Sequence, residues 1–167
     1  MRLGVILLAI TLLPLAPLFV PSAATASPTD DPEGPAILDA AETLFLTMKA
    51  RDYPATWAVL TAKSRHTIVS ETEDAIRAAG GNPLPKGDLR EDFAAGGPIA
   101  RQYWDGFLRR FNPDDALERS RWEMGEVKKD RAEVRITRRG SDNPAILQMY
   151  REDGVWKVGL AETFWAR

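Results

Sequence analysis

Arg131-Ala132-Glu133-Val134-Arg135-Ile136 alternates strictly, with Ala132, Val134 and Ile136 on one side and Arg131, Glu133 and Arg135 on the other. Period two is the mark of a strand with one face in a core and one in water. The same period holds on either side of this segment. Trp122 and Met124 flank Glu123, and Ile146 to Tyr150 follows the turn at Gly140–Pro144. Asp153-Gly154 is a two-residue hairpin signal that leads into a last segment, Val155 to Trp165. These four segments predict one antiparallel meander in the last third of the chain.

Upstream the period changes to that of helices. Ile37, Leu38, Ala41, Leu44, Phe45 and Met48 fall within one arc of roughly 120° at ~100° per residue, a stripe that faces a core. Pro54 disfavours helix at Tyr53 and opens a second helix carrying Trp57, Val59 and Leu60. A third helix is predicted from about Ser64 to Ala79, stopped by Gly80-Gly81. Residues 82–98 are rich in turn formers and read as irregular, with one short turn of helix around Leu89–Ala95. Ile99, Tyr103, Phe107 and Phe111 mark a fourth helix that ends before Asn112-Pro113. Helices first and strands afterwards make this an α+β chain with segregated elements.

A long first helix, the stretch Arg51-Asp52-Tyr53-Pro54-Ala55-Thr56-Trp57-Ala58-Val59-Leu60, and Arg151-Glu152-Asp153-Gly154-Val155-Trp156-Lys157-Val158 inside a terminal meander together resemble the NTF2-like superfamily. That superfamily includes ketosteroid-isomerase-like and polyketide-cyclase-like enzymes and many exported domains of unknown function. The resemblance spans about residues 36–165. It implies a curved antiparallel sheet of four or more strands wrapping the first helix around a conical apolar pocket, often in homodimers. The segment 82–111 departs from the shortest family pattern.

The amino terminus carries a different message. Met1-Arg2 is a short basic start, Leu3 to Val20 is almost unbroken apolar sequence, and Ala24-Thr25-Ala26 has the small-x-small form of a signal-peptidase site. This assigns residues 1–26 to a signal peptide, 27–35 (Ser-Pro-Thr-Asp-Asp-Pro-Glu-Gly-Pro) to a polar linker, and 36–167 to the domain. If the apolar run stays attached it becomes a membrane anchor, although Pro14 and Pro17 weaken its helix. Both readings place the domain outside the cytoplasm, either periplasmic or secreted.

Composition narrows the chemistry. With 22 basic against 24 acidic side chains, the chain has no field to hold nucleic acid or an anionic membrane. No Cys and one His remove disulfides, thiol nucleophiles and multi-histidine metal centres. No nucleophile elbow, phosphate loop, dinucleotide fingerprint or zinc-protease motif occurs, so no cofactor or metal is implied.

The candidates that remain are individual residues. Glu162 falls at period two with Trp156, Val158, Leu160 and Phe164 if the last segment is strand throughout. An acid among such neighbours would serve as a proton-transfer base, whereas a bulge before it would put it in water. His66 is the second catalytic candidate, and no Asp stands at an obvious partnering distance along the chain. Arg110 projects between Ile99 and Tyr103 on the fourth helix, either to hold a carboxylate or phosphate or to extend past the core near a helix end. Gln148 lies between Ile146 and Tyr150, but Leu147 and Met149 make the opposite face equally apolar, so periodicity does not choose. Trp57, Tyr103 and Phe107 complete the set expected to border a ligand. Three functions follow: a non-catalytic exported module for a small apolar or amphipathic ligand or an envelope partner protein, an isomerase- or cyclase-type enzyme using Glu162, or a dimerisation and interaction module.

Overall fold

The computed structural model describes residues 32–165. The leader assigned to 1–26 and most of the linker lie outside these residues.

Seven helices and four strands follow one another in the described chain. Helix α1 (Gly34–Ala50) starts with Pro35 in its first turn, inside the stretch read as linker, and ends at Arg51 in the left-handed region with φ 57°. Its start is tied to the sheet by Glu33, whose carboxylate accepts from the Arg151 guanidinium at 2.6 Å and the Trp156 indole at 2.8 Å. Helix α2 (Tyr53–Val59) has Pro54 in its first turn and the Asp52 carboxylate accepting from the Ala55 amide at 3.1 Å. Helix α3 (Ala62–Ala78) is capped by the Thr61 hydroxyl, which accepts from the Ser64 amide at 3.0 Å. Such caps satisfy amides that have no partner inside the helix.

Residues 82–98 correct the sequence reading. Helix α4 (Lys86–Ala95) occupies most of that segment, where one short turn was expected. Leu89 and Phe93, four residues apart, put a fully buried pair on one face. That burial outweighs the weak helix propensity of Gly87. Helix α5 (Pro98–Leu108) follows after only two glycines, and the Asp92 carboxylate reaches across from α4 to accept from the Ala100 amide at 2.7 Å. A short α6 (Pro113–Leu117), capped by Asn112, was not foreseen.

The four-stranded meander is as expected. Strands β1 (Ser120–Lys128), β2 (Arg131–Arg138), β3 (Ala145–Glu152) and β4 (Val155–Gly159) pair antiparallel in the order β1-β2-β3-β4, and the sheet does not close. The β3–β4 hairpin turns on Asp153 (φ 51°) and Gly154 (φ 79°), the positive pair that a two-residue turn of this hand requires. A bulge between Met124 and Val127 breaks the β1–β2 register and bends the sheet. At the other side, Leu60 bridges Val158 in parallel and the Thr61 amide donates to the Val158 carbonyl at 3.0 Å.

Helix α1 lies across the inner face of β2, β3 and β4. Ile37, Ala41, Leu44 and Met48 meet Ala132, Val134, Leu147, Met149 and Val158, all at most 2% exposed. Side chains with so little accessible surface border no water-sized void, so α1 and the sheet pack directly against each other. The question left open at Gln148 is answered: Leu147 and Met149 face the core, and Gln148 faces outward.

The last segment is the second correction. The strand stops at Gly159, and Leu160–Phe164 form helix α7. A Cβ at position 159 would sit 2.8 Å from the Tyr150 ring, so glycine lets β4 and that ring meet just before the turn. Trp156, Val158, Leu160, Glu162 and Phe164 therefore do not share one strand face.

Candidate functional site

A broad concavity is formed by the helices. Helices α3 and α5 flank an open groove of about 920 Å³, closed along one side by Phe164 and Trp165 at the end of α7. Residue spacing explains its walls. On α3, Thr72, Ile76 and Ala79 follow one another at four- and three-residue steps, and Glu71, Ala75 and Ala79 form the adjacent row. On α5, Ile99, Tyr103 and Phe107 line the groove, with Phe111 just beyond the helix. The stripe that marks this helix is half-exposed, while Ala100 and Trp104 from the neighbouring face of α5 are fully buried.

Three of the six ligand candidates, Tyr103, Phe107 and Arg110, come together here. Arg109 and Arg110 stand at the carboxyl end of α5, and among the described residues neither has a carboxylate partner. Gly106 forms part of the wall beneath them, with Arg109 Nη2 3.4 Å from where its Cβ would be.

The groove also holds a residue that the sequence reading missed. Glu71 remains exposed at the rim, yet the groove wall removes water from around its carboxylate and pushes its pKa up, against the opposing effect of the Trp165 indole hydrogen bond. Burial raises the pKa of Tyr103 further, and the nearby Glu71 charge adds to that rise. The signal for Glu71 was its helical row with Ala75 and Ala79, which leaves a small-residue channel beside an acid.

The other candidates lie elsewhere. Trp57 is buried and stacks on Phe93 with ring centroids 4.8 Å apart, a pairing worth about 0.5–1.5 kcal/mol beyond burial. Its edge borders a second cleft, of about 510 Å³, with Arg65, His66, Arg90 and Glu91. No carboxylate is bonded to the His66 ring among the described residues. Gln148 sends its side-chain amide towards Glu133 at 3.4 Å and donates its backbone amide to the Thr163 hydroxyl at 2.9 Å. Glu162 sits on α7, where its carboxylate accepts from the Ser64 hydroxyl at 2.7 Å and the Thr61 hydroxyl at 3.0 Å. The Ser64 oxygen in turn accepts from the Ala161 amide at 3.0 Å. This polar knot fixes α7 to the start of α3, and α7 carries Phe164 and Trp165 into the groove. Glu162 thus braces the groove wall without lining it.

Among the described residues no helix is long and apolar enough to cross a membrane. The chain was compared with known protein families, with curated proteins and with solved structures. The comparisons return no match. Its α+β arrangement, helices packed on a four-stranded antiparallel sheet, is compatible with the NTF2-like shape.

Proposed function

We propose that this chain is an exported, non-catalytic domain of NTF2-like shape that binds a small amphipathic molecule in the α3–α5 groove. The observation that carries the reading is a largely apolar trough ending in two arginines that have no carboxylate partner among the described residues. Its volume, about 920 Å³, is that of a small-molecule site. An apolar body covers Ile76, Phe107, Phe111 and Phe164, and an anionic head meets Arg109 and Arg110 through charge-assisted hydrogen bonds. The carboxylate of Glu162, occupied by two hydroxyls, is a brace in this scheme and not a base.

The test is calorimetric titration of the protein with stearate, alongside native mass spectrometry of protein taken gently from its own envelope fraction. Saturable binding of one stearate, weakened in Arg110→Gln and lost in Gly106→Leu, is the expected result. The leucine projects from the groove wall and improves helix propensity, so the fold survives it. No stearate binding, or equal binding by Gly106→Leu, overturns the proposal. Copurified protein in place of a small molecule would favour the interaction reading instead.

A further inference from the structure

The groove is not uniformly apolar along its length. Tyr103 lies seven positions before Arg110, which at 1.5 Å per helical residue sets the two on the order of 10 Å apart along α5 and the turn that follows it. Across the groove from Tyr103 stands Glu71, on α3, with Trp165 bordering the same stretch. The Tyr103 hydroxyl has no hydrogen-bond partner among the described residues. A plain alkyl chain laid along the trough would strip water from that hydroxyl and from Glu71 and give nothing back, which is unfavourable for both.

We infer that the ligand carries a second polar group, a hydroxyl, partway along its apolar body, where it donates to Glu71 and accepts from Tyr103. This rests on the groove being the amphiphile site and names the ligand class more closely: a hydroxylated amphiphile with an anionic head. A hydroxyl can do both jobs at once, since it has one proton to give and lone pairs to receive. Tyr103 stays protonated, and so remains a donor, across the physiological range.

The experiment is a pair of titrations of the full chain, with stearate and with a mid-chain hydroxystearate. The expected result is tighter binding of the hydroxylated acid by about 2- to 10-fold, the range set by one net hydrogen bond. In Tyr103→Phe that ratio should fall towards one; the missing hydroxyl bonds nothing among the described residues, so the fold is retained. Equal affinity for the two acids in the native chain overturns the inference while leaving the amphiphile site standing. A preference that persists unchanged in Tyr103→Phe also overturns it. Binding of neither acid overturns the groove reading itself.

Discussion

The Ser64 hydroxyl donates to the Glu162 carboxylate at 2.7 Å, joining residues 98 positions apart in the sequence. With Thr61 on the other carboxylate oxygen, the pair fixes a five-residue helix that has no side-chain cap of its own. A helix that short does not hold itself together in water, so its position is borrowed from α3. Replacing Glu162 by Ala removes the acceptor and leaves the buried Ser64 and Thr61 hydroxyls without it. We expect a stability loss of about 1–3 kcal/mol in urea unfolding, with weaker stearate binding because Phe164 and Trp165 lose their seat. Full stability in this variant would show that α7 is held by packing alone.

Gly96 ends α4 with φ 64°, and a Cβ there would lie 2.8 Å from the Pro54 ring of α2. Alanine at this position meets both the left-handed backbone penalty, about 1–2 kcal/mol, and a rigid neighbour. Gly96→Ala should lower the thermal midpoint by clearly more than Gly80→Ala, where φ is also positive but nothing stands within 4 Å. Equal shifts would mean that Pro54 moves aside freely.

Tyr53 donates its hydroxyl to Asp105, and its pKa is pushed up to about 12, first by burial and then by that carboxylate. The folded state therefore holds this proton more tightly than the unfolded chain does. Stability from this source is complete below pH 10 and is lost as pH rises from there through about 12. Urea midpoints should decline across that window, and the decline should be shallower in Tyr53→Phe. An identical alkaline limb in the variant would assign the loss to other groups.

Phe93 is fully buried between Trp57 and Tyr103, at 4.8 and 5.4 Å from their ring centroids. Phe93→Ala should cost about 3–5 kcal/mol, much more than a residue in an irregular loop would. Calorimetry of that variant distinguishes a structural α4 from a decorative one.

The strands were legible because alternation and a hairpin dipeptide are local signals. Ala132, Val134 and Ile136 need no knowledge of their partners to be assigned to one face. Helix α1 was legible for the same reason at a different period. Helix α4 was not, since its burial depends on Trp57, which is distant in sequence, and on Tyr103, which reaches it only across the turn at Gly96-Gly97. The turn at Gly159 was hidden because Leu160 and Phe164 fit a strand face as well as they fit a helical step of four. The groove was half legible: the stripe Ile99, Tyr103, Phe107 is plain in the sequence, but whether a stripe meets a core or open space depends on how far α3 stands from α5. Glu71 and Tyr103 become neighbours only through that tertiary spacing.

The bulge in β1 and the bridge at Leu60 have a joint consequence for self-association. A sheet that does not close has two margins at which another chain can add a strand. At β4, Leu60 and Thr61 already take up part of the margin. At β1 the broken register and the exposed Arg121, Glu123, Glu126 and Lys128 spoil the flat, uncharged template that strand addition needs. Crowded together, copies of this chain are thereby steered away from runaway edge-to-edge sheet growth.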